Sequence, residues 1–211
     1  MRTLKEREIP AAVEIAAEAS KDDPYWVFIE PDPASRIQLM RRFLKANLQT
    51  ECAKGNLMGV GNPLQGIAVW AFPKSTKPAR ASRHLKSLSY LRLLSKSTIA
   101  MIPKAIRVVW EYRTMRARHA VHPFYHLILI AVAPSSQGRG LASKLIRPVL
   151  DMADKREIGA YVETTNPRNV TFYEHFGFAL KGMFSIPGCP VRGWGFYRSP
   201  KEIMGICNPE F

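Results

Sequence analysis

The feature that most constrains the fold is an apolar run that ends in a glycine-rich corner. Residues 126–133 read HLILIAVA and are followed at once by Pro134. A short apolar run bounded by a proline is typical of a buried strand. QGRG follows at 137–140, and LASKLIRPVLDMAD at 141–154 has apolar residues at helical spacing. The sequence therefore predicts a buried strand, a tight corner and a helix in direct succession.

Strands and helices alternate along the rest of the 211 residues. The segment DDPYWVFIEPDPASR, at 22–36, is rich in proline and predicts a loop. The spacing of apolar residues predicts further helices at 8–22, 33–49 and 167–176, and strands within 56–72, 160–165, 176–184 and 192–198. This alternation indicates a single α/β domain, or an α+β layered domain, over 1–211.

The net charge of +14 is concentrated in one part of the chain. Between Lys74 and Arg118, twelve Lys and Arg residues accompany a single acid, Glu111. Apolar spacing through this segment predicts two amphipathic helices, broken at Pro103, with basic outer faces. A solvated basic surface explains the charge, and binding of a polyanion stays an alternative. The segment has no zinc spacing, no aromatic RNP pattern and no heptad-linked basic region, so we disfavour nucleic acid as a partner.

Cysteine usage and hydropathy point to the cytoplasm. Cys52, Cys189 and Cys207 are odd in number and form no CxxC pair, which predicts reduced thiols rather than a disulfide framework or a zinc site. No apolar segment follows Met1, so we expect no secretory signal, and no apolar run approaches the roughly 20 residues of a membrane span. We expect a cytoplasmic protein with no metal and no membrane partner. The oligomeric state stays open, a homodimer included.

The glycine corner has the chemistry of a phosphate-binding turn. Backbone N–H groups in the first turn of a helix lack intrahelical acceptors, and the helix dipole favours negative charge there. Glycine lets a ligand approach the backbone closely. However, Gly138 and Gly140 belong neither to a P-loop, which ends in GK[ST], nor to a dinucleotide fingerprint with its third glycine. Taken alone, the corner is better explained as a plain tight loop.

A second motif, one strand and one helix later, changes this balance. The two motifs are Q-x-x-G-x-A at 137–142 and N-x6-Y-x3-G-F at 166–178. Together they resemble the GNAT superfamily of acetyl-CoA-dependent N-acetyltransferases, and the resemblance spans nearly the whole chain. It is closest to the puromycin N-acetyltransferase-like branch, on DDP…W…PD at 22–32, HPFYH at 122–126 and ETTNPRNVTFYEHFGF at 163–178. The resemblance implies a mixed central sheet of about seven strands flanked by helices, with a basic helical insertion at 74–119 before the central strand.

The resemblance also implies which residues hold acetyl-CoA. Backbone groups at the end of the central strand would bind the pantetheine arm, the corner and helix start would bind the pyrophosphate, and an asparagine would contact the cofactor arm. Asn169 stands where the family often has alanine, so it shares or replaces the contact assigned to Asn166. The implied cofactor residues are Ile130, Ala131, Val132, Gln137, Gly138, Arg139, Gly140, Leu141, Ala142, Ser143, Asn166 and Asn169.

Two side chains are candidates for proton transfer. An alkyl ammonium has a pKa near ~10, so attack on a thioester needs a base, and Glu163 lies where two parallel strands are expected to part. Tyr173 matches the family tyrosine near the coenzyme sulfur and would return a proton to the leaving thiolate. Each has a structural alternative, because Tyr173 can be a core tyrosine and Glu163 a solvated strand residue. His126 and Tyr125 are rival bases, and Asn166 can simply begin a helix before Pro167.

The sequence does not name the acceptor. The leading hypothesis is transfer to a primary amine of a small molecule, by direct attack in a ternary complex. Asp23 and Glu30 could attract a cationic acceptor, or balance surface charge. A protein or peptide acceptor, docked on the basic segment through Arg113, Arg116 and Arg118, is a second hypothesis. The third is a non-catalytic module that binds acyl-CoA or nucleic acid.

Overall fold

The computed structural model describes residues 1–73, 106, 110–185 and 190–201. Its strands are β1 (Arg2–Thr3), β2 (Leu57–Val60), β3 (Gly66–Ala71), β4 (Phe124–Val132), β5 (Gly159–Thr164), β6 (Ala179–Ser185) and β7 (Arg192–Arg198). Its helices are α1 (Ile9–Ser20), α2 (Pro24–Ile29), α3 (Pro33–Ala53), α4 (110–119), α5 (Leu141–Lys155) and α6 (Asn169–His175). Short 3-10 turns lie at Glu6–Glu8 and Pro134–Ser136.

The strands form one mixed sheet with the order β1-β2-β3-β4-β5-β7-β6. The pair β4–β5 is parallel, and the other neighbouring pairs are antiparallel. This confirms the predicted fold class, a seven-stranded mixed sheet with flanking helices. The predicted buried strand is β4, at the centre of the sheet, and the glycine corner connects it to α5.

Each face of the sheet is covered by its own layer of helices. Side chains of α5 and α6 pack with Trp70, Leu127 and Phe196 on one face. Side chains of α1 and α3 pack with Ile67 and Val69 on the opposite face. Successive strand residues point to opposite faces, so Ile67 and Val69 face one layer while Ala68 and Trp70 face the other. The central strands are therefore buried on both sides.

The structure corrects two sequence predictions. The segment at 22–36, predicted as a loop, contains the helix α2, because Asp23 accepts a hydrogen bond from Tyr25 N at 3.0 Å and Pro24 occupies the first turn. A side-chain cap and a first-turn proline both favour a helix start. The helix predicted from 167 begins at Asn169, after a turn in which Asn169 N donates to Asn166 O.

Only part of the predicted 74–119 insertion can be compared with the structure. Residues 106 and 110–119 are helical, and the remainder, including the break predicted at Pro103, lies outside the described residues. Cys189 and Cys207 also lie outside them, whereas Cys52 is a free thiol.

Strands β4 and β5 pair only along their first halves. Their register runs from Phe124 opposite Gly159 to Leu127 opposite Val162. On its other edge β4 has a bulge, because Leu127 pairs with Trp70 but Leu129 pairs with Val69, which leaves Ile128 as the extra residue. Bulges bend a strand and increase its twist. The bulge therefore lies at the point where β4 leaves β5, and it opens a gap in the centre of the sheet.

We expect Arg198→Met to lower the free energy of unfolding by about 3 kcal/mol, because it leaves a poorly exposed carboxylate without its cation. The Arg198 guanidinium donates two hydrogen bonds of 2.7 Å to Asp154, and the two side chains are only 5% and 15% exposed. Urea denaturation measures the loss, and Arg192→Met, an exposed change on the same strand, is the matched control. An equal loss in both variants would contradict the prediction.

The same pair gives stability a pH dependence. The hydrogen bonds from Arg198 hold the pKa of Asp154 below its ordinary value. The stabilisation is therefore complete above the unfolded-state pKa near ~3.9 and is lost as the pH falls through the lower folded-state pKa. Arg198→Met should weaken this acid-side dependence, and the Lys201 amide, which donates to Asp154 at 2.8 Å, should retain part of it.

Candidate active site

A cavity of about 480 Å³ lies where β4 leaves β5 and runs into the glycine corner. It is bounded by the end of α1, the end of β4, the corner, the start of α5 and the start of α6. Its lining contains every predicted cofactor residue except Arg139, which is exposed beside it. The lining residues are Ala19, Ser20, Asp23, Ile130, Ala131, Val132, Ser136, Gln137, Gly138, Gly140, Leu141, Ala142, Ser143, Asn166, Asn169 and Phe172.

The corner requires glycine for its backbone conformation. Gly138 and Gly140 have φ values of 73° and 72°, in the left-handed region that disfavours other residues. Gly140 is the N-cap of α5, and the first turn of that helix contains no acidic side chain. The amides at 141–143 therefore face the cavity side of a helix start with no carboxylate in that turn to compete for them. This arrangement favours an anionic group such as a diphosphate.

The end of β4 offers backbone groups along one wall of the cavity. Ile130 and Val132 pair with Ala68 and Gly66 of β3, which satisfies one edge of the strand. Pairing with β5 stops at Leu127, so none of the described strands lies beside the opposite edge of 129–132. An extended ligand with its own amides can hydrogen-bond such an edge in the way an added strand would. The pantetheine arm of coenzyme A has this chemistry.

The two asparagines predicted to contact the cofactor lie on the far wall. Asn169 Nδ2 donates to Thr164 Oγ1 at 3.1 Å, and the amide of Asn166 donates to the same hydroxyl at 3.1 Å. The Asn166 side chain accepts a hydrogen bond from the Arg168 amide at 3.1 Å, which forms a local turn before α6. Both asparagines line the cavity, so both stay candidates for a cofactor contact, and the helix-start role of Asn166 is a turn rather than a cap.

Glu163 lies immediately beyond the last β4–β5 pair and is bound through both carboxylate oxygens. Its Oε1 accepts from Arg116 Nε at 2.9 Å, and its Oε2 lies 2.6 Å from His126 Nε2. The Glu163 side chain is 6% exposed, so it is not the solvated strand residue of the alternative interpretation. The rival base His126 is thus a direct neighbour of Glu163. The contact with Arg116 was missed because nothing in the sequence separates that arginine from the other basic residues of its segment.

The second rival base, Tyr125, points elsewhere. It is fully buried among the side chains under α5, and its hydroxyl accepts a hydrogen bond from Arg156 at 3.3 Å. His126 faces the other side of the strand and also lines a second cavity, of about 300 Å³, together with Phe72, Phe124 and Arg116. Of the two rivals, only His126 therefore contacts Glu163.

Tyr173 is buried behind the wall of the main cavity rather than lining it. Its ring packs against Phe178 and Phe196, while its neighbour Phe172 reaches the cavity. Burial raises the pKa of the Tyr173 phenol, and the carboxylates of Asp23 and Glu163 raise it further. The hydroxyl therefore keeps its proton at neutral pH, and it lies within electrostatic reach of both carboxylates.

The two acids proposed to attract a cation differ in position. Asp23 lines the main cavity, and burial raises the pKa of its carboxyl group. Glu30 lies at the end of α2, where its side chain accepts a hydrogen bond from the Asp32 amide at 3.3 Å, and it does not line that cavity. Asp23 is therefore the better placed of the two.

Among the residues that the structure describes, no three His, Cys, Asp or Glu side chains lie close enough together to hold a metal ion. None of the described helices is both long and apolar enough to cross a bilayer.

Comparison with known proteins agrees with this geometry. Residues 99–178 match the model of the acetyltransferase (GNAT) family. Residues of the chain are 35% identical over 57 positions to an uncharacterized N-acetyltransferase of Schizosaccharomyces pombe, a match covering 27% of this chain and 23% of that protein. The findings support the GNAT acetyltransferase family. The chain spans about a quarter of that curated relative.

Solved structures extend the GNAT likeness to the whole fold. A structure of histone acetyltransferase HPA2 and related acetyltransferase from Corynebacterium glutamicum superposes with a TM-score of 0.64, at 16% identity over 96% of each chain. A PaiA N-acetyltransferase from Thermoplasma acidophilum, in complex with coenzyme A, has a TM-score of 0.57 at 12% identity, covering 94% of this chain and 96% of that one. At such identities the likeness shows the GNAT fold. GNAT acetyltransferases are enzymes that use acetyl-CoA.

Proposed function

We propose that the protein transfers an acetyl group from acetyl-CoA to the primary amine of a small molecule, by direct attack in a ternary complex. The observation that carries the proposal is one cavity that joins the free edge of β4 to the amides of the glycine corner. Glu163 does not line this cavity, but it lies immediately beyond the last β4–β5 pair, where the two strands part. The match to the GNAT family supports acetyl-CoA as the acetyl donor. The residues that line the cavity support this cavity as its binding site.

The residues of the cavity fit coenzyme A. The amides at 138–143 suit the diphosphate, the edge at 130–132 suits the amide-bearing arm, and Asn166 and Asn169 offer side-chain contacts from the opposite wall. Bound there, acetyl-CoA supplies an activated acetyl thioester. An N–H of the free β4 edge near the strand gap can polarise a carbonyl oxygen.

Glu163 acts as the base in this proposal. An alkyl ammonium of pKa near ~10 must lose a proton before it can attack, and a positioned base contributes about 10²–10⁴ in rate. Both Glu163 oxygens already have partners, so Arg116 or His126 must give way when the amine arrives. Arg116 is 32% exposed and His126 is 11% exposed, so we expect the arginine to move. His126 stays against the other carboxylate oxygen at 2.6 Å and holds Glu163 in place while Glu163 accepts the proton.

Tyr173 is the proposed donor of the proton that a leaving thiolate needs. Because it lies behind the cavity wall, a local movement of that wall must bring its hydroxyl to the sulfur. A phenol with an ordinary pKa near ~10 is already protonated at neutral pH, and burial raises the pKa of Tyr173 further. The carboxylates of Asp23 and Glu163 act electrostatically on this hydroxyl, which supports a place for it near the proposed reaction. No covalent enzyme intermediate is required in this scheme.

Titration calorimetry tests the cofactor site. We expect acetyl-CoA to bind, and acetylpantetheine, which lacks the nucleotide diphosphate, to bind at least about tenfold more weakly, since the corner contributes charge-assisted hydrogen bonds of about 1.5–3 kcal/mol each. Release of free thiol is then followed with a panel of amines, antibiotics and peptides. Equal affinities for the two thioesters would contradict the role of the corner, and the absence of acetyl-CoA binding would end the proposal.

A protein or peptide acceptor is supported by one feature, the basic outer face of α4. Arg113 and Arg118 are exposed, but Arg116 is engaged with Glu163, so a charge reversal that includes Arg116 would disturb the proposed base itself. The informative variant is therefore Arg113→Glu with Arg118→Glu. A steep rise in KM for an acidic peptide, with unchanged small-amine kinetics, would favour the protein acceptor.

Three finer statements stay predictions. They are the puromycin N-acetyltransferase-like branch, the cytoplasmic location and the oligomeric state. The matches reach the GNAT family without selecting a branch of it. A gel-shift assay with DNA at about 150 mM salt tests the nucleic-acid alternative, because purely electrostatic binding weakens strongly there.

A further inference from the structure

Asp23 is a carboxylate in the wall of the main cavity without a cation beside it. It accepts hydrogen bonds from Thr165 Oγ1 at 3.2 Å and from the Tyr25 amide at 3.0 Å. Within the described part of the chain, no Lys, Arg or His forms an ion pair with it. A carboxylate taken out of water needs a compensating charge, or its pKa rises. Burial does raise the pKa of Asp23.

Glu163 provides the contrast, because its charge is already balanced. Arg116 neutralises it at 2.9 Å and His126 occupies its other oxygen. The two carboxylates belong to one locality, since both raise the pKa values of the Tyr112 and Tyr173 phenols, after the larger effect of burial. Thr165, the partner of Asp23, also follows Glu163 by two residues at the end of β5. This locality therefore carries two carboxylates and one guanidinium, a net charge of −1 when the His126 ring is neutral.

We propose that Asp23 binds the ammonium group of the acceptor, and that the site selects primary amines with one positive charge and no carboxylate beside the amine. This inference rests on the proposed acetyl transfer and specifies its acceptor. Arg116 balances the charge of Glu163, so one bound cation would balance the remaining charge, that of Asp23. A carboxylate next to the amine would meet Asp23 and Glu163 and be repelled.

Apolar side chains near the strand gap suit the rest of such an amine. Ile128, the extra residue of the β4 bulge, is 48% exposed although it lies at the centre of the sheet. Tyr25 and Tyr112 are half-buried around Met115 and Phe184 on the side of α4. An apolar substituent on the amine would cover part of this surface. Phenethylamine and phenylalanine are therefore an informative pair of probes, because they differ only by the carboxylate.

The test compares Asp23→Asn with wild type. Asparagine removes the charge but retains the shape and the ability to cap α2, so the fold is preserved. Asp22→Asn is the matched control, because that side chain is 81% exposed on the adjacent position. Two quantities are measured: the affinity of each probe for the protein saturated with coenzyme A, by calorimetry, and KM and kcat from thiol release.

We expect wild type to prefer phenethylamine over phenylalanine, and Asp23→Asn to weaken phenethylamine binding about 10- to 100-fold, the effect of one charged hydrogen bond. A higher KM for phenethylamine should account for most of the loss in kcat/KM. The ratio of the affinities for phenethylamine and phenylalanine should become smaller. Asp22→Asn should resemble wild type. The affinity of acetyl-CoA should stay unchanged in both variants.

The outcomes separate this inference from the proposed function. Absence of thiol release by wild type would reject acetyl transfer, whereas the calorimetric comparison would still decide whether Asp23 binds amines. Unchanged phenethylamine affinity in Asp23→Asn, no binding of either probe to wild type, or a loss confined to acetyl-CoA affinity would each overturn the inference. The last result would make Asp23 a cofactor residue.

Arg116→Met supplies a second, independent arm. Removing the guanidinium leaves both carboxylates uncompensated, which changes the local net charge from −1 to −2. We expect the variant to improve binding of 1,4-diaminobutane relative to n-butylamine by about tenfold, the effect of one additional charge contact. An unchanged ratio would contradict the charge balance on which the inference depends.

Discussion

Glu163→Gln is expected to lower kcat for acetyl transfer by about 10²–10⁴-fold at pH 7, the usual contribution of a positioned base. The change preserves shape but removes the group that accepts the ammonium proton. At pH 7 only about one molecule in a thousand of an alkyl amine with a pKa near 10 is unprotonated, so uncatalysed deprotonation cannot replace the base. Thiol release under saturating acetyl-CoA measures the effect.

The pH profile distinguishes a base from a structural residue. Because the free amine becomes abundant near pH 10, the deficit of Glu163→Gln should shrink steadily as the pH rises, whereas a packing defect would persist. Glu174→Gln, an exposed change on α6, is the control. Should Glu163→Gln retain activity within about threefold while His126→Gln loses it, then His126 is the base and Glu163 only positions its ring.

Tyr173→Phe is expected to lower kcat about 10²-fold while acetyl-CoA affinity stays within about threefold of wild type, since only the hydroxyl is lost. The ring stays packed against Phe178 and Phe196, so little change in stability is expected. Burial raises the phenol pKa above its ordinary value of about 10. Wild-type activity should therefore show no decline from ionisation of this group up to about pH 10.

Tyr197→Phe is the matched control for this prediction. Tyr197 is also a buried tyrosine, but it packs with Ala120 and Tyr161 away from the main cavity. Equal losses in the two variants would assign Tyr173 to packing. A loss of acetyl-CoA affinity in Tyr173→Phe that matches the loss in kcat would assign it to cofactor binding rather than proton transfer.

The sequence predicted the cofactor side of the site better than the acceptor side, for a physical reason. The strand, the corner and the helix start are consecutive in sequence, so their succession follows from local pattern, whereas the cofactor roles of Gly138, Gly140 and the edge at 130–132 come from the family resemblance. The parting of β4 and β5 beside Glu163 also follows from the order of the elements. These features require no knowledge of distant contacts.

The acceptor side depends on contacts between distant parts of the chain. Arg116 reaches Glu163 from 47 residues away, and Thr165 reaches Asp23 from 142 residues away. No spacing rule connects such pairs. Helix α2 escaped detection because six residues are too few to show a helical period, and its prolines suggested a loop; its start depends on the Asp23 cap. The only advance signal for Asp23 was its acidity in a strongly basic chain.

The extra residue, Ile128, divides the central strand β4 into two segments that have different neighbours. Before it, the strand is held by neighbours on both edges and presents His126 toward Glu163. After it, the alternation of side chains is shifted by one, so Leu129 and Ala131 anchor the layer of α1 and α3 while one edge of the backbone stays available. Substitutions in the first segment can therefore accumulate during evolution without altering the edge that we propose for the donor.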